Sequence, residues 1–356
     1  MPADTPALVQ HALEAALTEA DRLAAAAGAE TAVLVQAASR AVSGGKRLRA
    51  RLCLAAAGAC GAPVDSALAP AVRAAAALEL FQAAALVHDD LMDASDTRRG
   101  EPAAHRWLAV AVESRPGADA TRFGDSAAVL LGDLLLTMSA TALHDAVADT
   151  EREVRRAAAA VYAEMSTEVA LGQFLDLVAA HVPWHGEADL DRAWRVVRAK
   201  SARYSVELPL ALGARLAGAD DATTAWFTAI GSHVGTAFQL RDDLLGVFGD
   251  PEVTGKPAGD DLREGKRTVL VALAALAGSD ADREHLLGAL GHPDLDAAAI
   301  AQLRALLERT GAVAQVEALI AQHTAEAHRL LEAPPTLVAD TAELEALVAA
   351  ATQRSA

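Results

Sequence analysis

The sequence contains no asparagine, four lysines and two cysteines among its 356 residues, and aromatic residues make up only 3% of it. Without asparagine there is no acceptor for N-glycosylation. Cys53 and Cys60 cannot build a disulfide framework, and we interpret them as core thiols in a reducing compartment rather than as a redox or metal pair. The net charge of −17 argues against general binding to nucleic acid or to an acidic membrane surface.

Leader and membrane-spanning segments are not predicted either. The N-terminus lacks a basic start followed by an apolar core. The long apolar runs are interrupted by Arg73, Glu79 and Asp133 before they reach about 18 residues. We therefore predict no membrane span and a cytoplasmic location.

Strand patterns are missing, and helical periodicity is almost everywhere. No segment alternates polar and apolar residues between turn dipeptides. Hydrophobic residues form 53% of the chain, and alanine, the strongest helix former, is abundant. Apolar residues recur at three- and four-residue spacing in segments 6–26, 30–42, 48–60, 66–96, 123–147, 151–180, 188–213, 222–248, 266–277, 281–291, 296–309, 313–332 and 340–353. We predict one all-α domain of about a dozen helices over residues 1–356.

A first acidic cluster lies in LVHDDLMDASDTRRG, residues 86–100. Asp89 and Asp93 are four residues apart, so on a helix their carboxylates lie on one face, one turn apart. Two such carboxylates suit a hard divalent cation such as Mg²⁺, which commonly links carboxylates to substrate phosphates. Arg98 and Arg99 follow with guanidinium groups suited to phosphate. The alternative is a solvated helix end.

A second acidic cluster repeats this pattern in GTAFQLRDDLLGVFGD, residues 235–250. Asp242 and Asp243 follow an apolar helix that contains Phe238 and Gln239. Two acid pairs, each at the end of an apolar helix, are expected to face each other across a bundle, where metal sites are built from facing helices. Two independent acidic surface segments are the alternative.

The four lysines stand out because the other 27 of the 31 basic residues are arginine. Lys46, Lys256 and Lys266 each follow a glycine, and the fourth is Lys200. A compact ammonium group on a flexible stem can bind phosphate as a point charge. Together with the acid pairs, the lysines indicate a diphosphate site where a metal assists departure of diphosphate inside an apolar cavity.

These motifs, in this order, resemble those of trans-isoprenyl diphosphate synthases, the polyprenyl synthetase family. The resemblance runs from about residue 38 to residue 280 and is carried by GGKRLR (44–49), DDLMDASDTRRG (89–100), LLGD (130–133), KSA (200–202), FQLRDD (238–243) and GKRT (265–268). It implies a single large helical bundle of the isoprenoid synthase type I kind around a central apolar cavity. The implied function is 1′–4 condensation of isopentenyl diphosphate with an allylic diphosphate, in a protein that is usually dimeric.

The resemblance also implies roles for individual residues. Three Mg²⁺ ions are expected, two on Asp89 and Asp93 and a third on Asp242, with Asp243 adding to its shell. The allylic diphosphate would be bound by Arg98, Lys200 and Lys256, with Lys266 nearby. Isopentenyl diphosphate would be bound by Lys46, Arg49 and Arg99, with Gln82 beside them. Ser201 and Gln239 would flank the allylic chain, and Phe238 would line the cavity near the developing cation.

Product length is expected to depend on the helical stripe before Asp89. Ala85 and Ala84 are small and leave the path open one turn back, whereas Phe81, two turns back, would form its floor. By resemblance this layering suggests a product of twenty to twenty-five carbons, and we predict geranylgeranyl diphosphate. A farnesyl or a longer-chain product, of twenty-five carbons and above, is the alternative.

Three features depart from the family or carry no assigned role. The second motif usually has a third aspartate where this chain has Gly246, which puts the binding of the third metal in doubt. Asp96 is an additional acid beside the first motif. His88 precedes Asp89, and we interpret it as structural.

Other protein classes fit the sequence less well. A class I terpene cyclase would need an Asn/Asp, Ser/Thr and Glu metal motif, which is absent here. A head-to-head synthase of the squalene type would lack GGKRLR and GKRT. A catalytically silent regulatory subunit of a heteromeric prenyl synthase should have lost acids or lysines, and apart from Gly246 this chain retains them.

Overall fold

The computed structural model describes residues 5–113, 117–250, 259–292 and 294–352. The chain divides into two compact units. Unit 1 comprises Met1–Ala160 and Leu212–Asp220, and unit 2 comprises Val161–Ala211 and Asp221–Ala356. The prediction of one domain over residues 1–356 stays a prediction.

Unit 1 consists of long helices and one very short hairpin. Its helices are α1 (Thr5–Ala27), α2 (Ala32–Ala41), α3 (Leu48–Ala59), α4 (Pro70–Met92), α5 (Ala104–Glu113), α6 (Ala120–Val147) and the start of α7 (Arg152–His181). A 3₁₀ turn at Ala29–Thr31 precedes α2. After α4 the chain forms an antiparallel pair of two-residue strands, β1 (Thr97–Arg98) and β2 (Glu101–Pro102), which are the only strands among the described residues.

Unit 2 contains the remainder of α7 and most of the C-terminal half of the chain. Its elements are α8 (Glu187–Val196), a π-helical segment (Val197–Glu207), α9 (Leu208–Leu216, which ends in unit 1), α10 (Asp221–Phe248), α11 (Asp260–Arg263), α12 (Val269–Ala277), α13 (Asp280–Ala289), α14 (Ala297–Arg309), α15 (Ala312–Leu331) and α16 (Ala342–Thr352). Several helices start at side-chain caps that the sequence supplies, such as Asp119, Thr268 and Asp296.

The all-α prediction is confirmed, and most predicted helices lie within a few residues of the observed ones. Helix α4 begins at Pro70 rather than at residue 66, because proline is well suited to the first helical position. The continuous helix predicted over 188–213 is interrupted by the π-helical segment. Helices α5 and α11 were not predicted, and residue 353, the expected end of the last helix, lies outside the described residues.

Each unit has its own apolar core. In unit 1, α4 packs against α3 and α6, and small residues allow the helices to approach closely. The Ser139 hydroxyl of α6 donates to the carbonyl of Ala77 on α4 at 2.6 Å. In unit 2, α10 and α12 pack with α14 and α15 around leucine and valine side chains. Burial raises the pKa of the Cys53 thiol to about 12, which agrees with its interpretation as an inert core residue.

Among the described helices, two are long and apolar enough to cross a membrane, on length and composition alone. These are α4 and α6, of which 67% and 39% of the most apolar window is buried inside the protein. The charges that interrupt their apolar runs in sequence do not prevent either helix from meeting this criterion. Core helices of soluble proteins meet it as well, and the absence of a membrane span stays a prediction.

Candidate functional site

The first acidic motif lies at the C-terminal end of α4 in unit 1. Asp89 and Asp93 are both half-buried, and the backbone N–H of Asp93, the C-cap residue, donates to the carbonyl of Asp89 at 2.8 Å. The two residues are therefore one helical turn apart at the end of α4. The Asp90 side chain, in contrast, is only 4% exposed and points into the protein.

Asp90 binds Arg98 across the turn that follows α4. The Nε of Arg98 lies 2.9 Å from Oδ1 and 3.1 Å from Oδ2 of Asp90, and Nη2 also donates to Asp90. The same guanidinium lies 3.8 Å from Oδ2 of Asp89. A charge-assisted pair of this kind restricts a long side chain to one orientation, so Asp90 positions Arg98 beside the Asp89 carboxylate. No role for Asp90 was predicted from the sequence.

Arg99 lies against the loop that carries Lys46. Its Nη1 donates to the carbonyl of Ser43 at 2.7 Å, and a Cβ added to Gly45 would lie 2.8 Å from its Nη2. Gly44 and Gly45 both have positive φ, of 69° and 77°, which favours glycine. The glycines of the GGKRLR motif therefore bring the loop backbone into contact with the Arg99 guanidinium, next to the exposed Lys46.

A half-buried carboxylate, Glu79, lies near the positive charges of this basic group. Glu79 accepts a hydrogen bond from the backbone N–H of Ala50 at 3.2 Å. Burial raises its pKa, and the nearby positive charges of Arg49, Arg47 and Arg99 act in the opposite direction. From the sequence, Glu79 was expected only to interrupt an apolar run. The signal that could have found it is its place on α4, one turn before Gln82.

The second acidic motif lies near the end of α10 in unit 2. Asp242 is exposed, whereas Asp243 is 4% exposed. Oδ1 of Asp243 accepts from the amide of Gln239 at 2.7 Å, and the buried Oδ2 has no hydrogen-bond partner among the described residues. Burial raises the pKa of Asp243 well above its usual range, and the neighbouring Asp261, Asp242 and Asp176 raise it further.

Asp176 also binds Lys200, on the π-helical segment. The Lys200 Nζ lies 2.6 Å from Oδ2 of Asp176, and each side chain is 19% exposed. A Cβ added to Gly172 would lie 2.5 Å from the backbone nitrogen of Lys200, so this glycine lets α7 approach the segment closely. π-Helical turns often occur at functional sites, and this one carries both Lys200 and Ser201.

The remaining predicted residues have more varied surroundings. Lys266 forms ion pairs with Glu264 and, at 3.6 Å, with Asp261. Phe238 and Ser201 are half-buried in unit 2. Lys256 lies outside the described residues.

The chain-length residues divide between two faces of α4. Ala85 is half-buried, like Gln82 and Asp89 on the same stripe, and Phe81 is 4% exposed. Ala84 is fully buried and belongs to the packed core of unit 1. Ala84 therefore packs against core residues and does not line the predicted chain path. Ala85 is the small, partly exposed residue on that path.

His88 and Asp96 have local structural partners. The Nε2 of His88 lies 3.2 Å from the carbonyl oxygen of Val129, and the ring occupies the space that a side chain at Gly132 would fill. Asp96 accepts from Arg106 at 2.7 Å. These contacts favour structural roles for both residues.

Asp243 provides the test of whether the acidic residues fit a divalent cation. A buried carboxylate oxygen without a hydrogen bond, next to further carboxylates, is unfavourable unless positive charge is supplied. Among the described residues no three His, Cys, Asp or Glu side chains converge as a complete metal cage. Mg²⁺ does not require one, because it usually takes one or two carboxylates and completes its shell with water and substrate phosphate. The residues present fit such an ion.

Comparison with known proteins identifies the family. The family model described as polyprenyl synthetase matches residues 31–307. Because this match covers well over half of the chain, the protein belongs to the polyprenyl synthetase family, and the prediction of a prenyl-transferring enzyme is confirmed at that level.

Individual relatives agree with this assignment. The chain is 38% identical over 242 residues to a geranylgeranyl diphosphate synthase of Mycobacterium tuberculosis, a match that covers 68% of this chain and 62% of that protein. It is 31% identical over 303 residues to a geranylfarnesyl diphosphate synthase of Aeropyrum pernix, covering 85% of this chain and 87% of that one.

A solved structure is similar over nearly the whole length. It is the geranylgeranyl pyrophosphate synthase of Corynebacterium glutamicum, complexed with isoprenyl diphosphate and magnesium. The TM-score is 0.90 at 36% identity, and the match covers 99% of each chain. The predicted isoprenoid synthase fold is thereby confirmed.

Proposed function

We propose that this protein condenses isopentenyl diphosphate with an allylic diphosphate in a head-to-tail, 1′–4 reaction that depends on Mg²⁺. The observation that carries the proposal is the buried Asp243 carboxylate, whose Oδ2 has no hydrogen-bond partner in the part of the chain that the structure describes and lies among further acids. A cation would offset this cost. Asp89 and Asp93 on α4, with Asp242 on α10, are the other proposed metal ligands, for three ions in all. Bound Mg²⁺ would supply Lewis-acid neutralisation of the diphosphate leaving group.

The chain's own cationic residues would stabilise the same leaving group. Arg98, held by Asp90, and Lys200, held by Asp176, are proposed to bind the allylic diphosphate, together with Lys256 and the nearby Lys266. Since their orientations are set before substrate binds, they would act on the charge that develops in the transition state without further reorganisation.

The isopentenyl diphosphate is proposed to bind Lys46, Arg49 and Arg99, with Gln82 beside them. Glu79 would hold this basic group together in the free enzyme. Phe238, Ser201 and Gln239 would flank the allylic chain, where an apolar environment keeps water from the allylic cation. The double bond of isopentenyl diphosphate then attacks the cation, and the departed diphosphate is proposed to take the proton.

The product proposed is geranylgeranyl diphosphate. Support comes from the small Ala85 next to the motif and the bulky Phe81 one turn further back. The relatives include both geranylgeranyl and geranylfarnesyl diphosphate synthases, so a longer product is the alternative. We further propose a cytoplasmic homodimer in which residues 1–356 act as a single domain.

The test is to incubate purified protein with Mg²⁺, isopentenyl diphosphate and, in turn, dimethylallyl, geranyl or farnesyl diphosphate. Product length is then measured after dephosphorylation. A single twenty-carbon alcohol is expected. Longer alcohols would retain the reaction and reject the assigned length. No condensation with any starter would reject the proposal, and turnover that appears only with a partner protein would favour the regulatory-subunit alternative.

A further inference from the structure

Arg47, in the loop between Lys46 and α3, has an unusual backbone conformation. Its φ and ψ are 48° and 43°, in the left-handed region that residues with a side chain rarely adopt. Arg47 is the N-cap residue of α3, and its carbonyl accepts from the backbone N–H of Arg51 at 3.0 Å. It therefore lies between Lys46 and Arg49, two of the cations proposed to bind isopentenyl diphosphate. A strained conformation at such a place persists only where the surrounding structure holds it.

The Arg47 side chain reaches α1, at a residue 37 positions earlier in the chain. Its Nη2 donates a hydrogen bond to Oε1 of Gln10. The Nη1 atom is buried and has no hydrogen-bond partner among the described residues. Glu79 on α4 is near enough to Arg47 for the two charges to interact. A buried guanidinium group is costly unless its charge and its donors are met, so the acceptor on Gln10 holds this side chain against α1.

Gln10 is itself held in a fixed orientation. Its Nε2 donates to Oε1 of Glu14, one turn further along α1, at 2.8 Å. Because the amide nitrogen is bound to that carboxylate, the amide oxygen is the atom that faces Arg47. The neighbouring Val9 and Leu13 are buried and belong to the core of unit 1. Helix α1 therefore presents a well-oriented acceptor to the Arg47 guanidinium.

We propose that Gln10 is a positioning residue for the isopentenyl diphosphate site. By holding Arg47 in its left-handed conformation, it sets the positions of Lys46 and Arg49 before substrate binds. The inference rests on the proposed function, in which those two cations bind the diphosphate. It extends the site to α1, an element that lies outside the motifs that carry the family resemblance.

A purely structural role of this hydrogen bond must be separated from positioning. If the bond only fastens α1 to the loop, its loss lowers stability and leaves the affinity for diphosphate unchanged. If it holds the Arg47 backbone, its loss lowers the affinity as well, and this effect disappears once position 47 needs no holding. Glycine provides that condition, because it adopts positive φ without steric cost. A double-mutant cycle between Gln10→Leu and Arg47→Gly therefore distinguishes the two roles.

The variants to compare are Gln10→Leu, Arg47→Gly, the double variant and the matched control Thr31→Val. Leucine is similar in size to glutamine and removes the acceptor. The Thr31 hydroxyl, just beyond α1, donates to the carbonyls of Ala24 and Gly28 at 2.8 and 2.7 Å. Thr31→Val therefore removes hydrogen bonds at the end of α1, and none of these groups belongs to the loop. Binding of isopentenyl diphosphate is measured by isothermal titration calorimetry without allylic substrate, and stability is measured by urea unfolding.

For Gln10→Leu we expect the Kd of isopentenyl diphosphate to rise by about tenfold, because a hydrogen bond to a charged group is lost. In the Arg47→Gly background the same change should alter Kd by less than about twofold. Thr31→Val should lower the urea midpoint and also leave Kd within about twofold.

An unchanged Kd in Gln10→Leu would overturn the inference. A rise of about tenfold in Thr31→Val would overturn it too, and so would an undiminished effect of Gln10→Leu in the Arg47→Gly background. Because binding is measured without turnover, failure of the condensation assay would not imitate these results. Wild-type protein that bound isopentenyl diphosphate without condensing it would reject the proposed reaction alone, whereas wild-type protein that did not bind it would reject the inference together with the site.

Discussion

Gly235 lies where α10 contacts the π-helical segment that carries Lys200 and Ser201. A Cβ added there would stand 2.5 Å from the carbonyl oxygen and 2.7 Å from the Cα of Ala202. Ordinary van der Waals contact begins at 3.4 Å, so α10 and the segment would have to separate by about 0.9 Å. The change Gly235→Ala therefore tests whether this close approach positions Lys200.

The expected effect on stability is small, and the effect on activity is large. Overpacking of a core contact lowers the free energy of unfolding by about 1–3 kcal/mol. Replacing glycine by alanine within a helix raises it by about 1 kcal/mol. The net loss in the free energy of unfolding is thus about 0–2 kcal/mol. A displacement near 1 Å of a positioning group can cost about a hundredfold in rate, and we expect kcat/KM to fall by about 10- to 100-fold.

The measurement combines urea unfolding with steady-state kinetics for the allylic substrate. Gly288→Ala is the matched control, because Gly288 lies in α13 and has no atom within 4 Å of an added Cβ. We expect that control to gain up to about 1 kcal/mol and to keep full activity. If Gly235→Ala matched the control in both stability and kcat/KM, the proposed positioning of the π-helical segment would be wrong.

Three further changes probe other parts of the molecule. Phe81→Ala should lengthen the product, and an unchanged distribution of dephosphorylated alcohols would remove Phe81 as the floor of the chain path. Glu79→Gln removes the half-buried countercharge of the basic group around Arg49. We therefore expect KM for isopentenyl diphosphate to change by about tenfold, while KM for the allylic substrate changes less than about twofold. Equal changes in both values would contradict this. Burial lowers the pKa of His323, and the neighbouring His233 lowers it further. The Nδ1 atoms of the two rings lie 3.0 Å apart. The neutral ring therefore favours folding above its ordinary pKa, and this stability is lost as the pH falls below about 6.5. His323→Gln should flatten the decline in the free energy of unfolding between about pH 7 and pH 5, and identical slopes would refute the assignment.

Much of the fold was predictable because it depends on short-range periodicity. Helices such as α10 and α15 show apolar residues at three- and four-residue spacing and have clear ends, and the predicted segments 222–248 and 313–332 differ from them by only a residue. The π-helical segment was not predictable in the same way. The change from α-helical to π-helical hydrogen bonding leaves no signal in the amino-acid composition. The π-helical segment is stabilised by close contacts with α7 at Gly172 and with α10 at Gly235.

The candidate site, like the fold, was predictable from the sequence only in part. The residue types and their order along the chain were enough to indicate diphosphate chemistry, because carboxylates one turn apart and isolated lysines after glycine have few other uses in combination. Sequence also identified Gly246 as a departure. It could not show that the carboxylate of Asp261, from another helix, occupies the space beside Gly246.

The sequence by itself determined the all-α class, the family and the candidate residues for binding metal and diphosphate. The tertiary structure decided which partner holds each of them: Asp90 for Arg98, Asp176 for Lys200, and the carboxylate of Asp261 against Gly246. The physical reason is the range of the interactions. Helical periodicity is set by neighbours three and four residues apart, whereas these contacts join residues 8, 24 and 15 positions apart, and they exist only after the helices have packed.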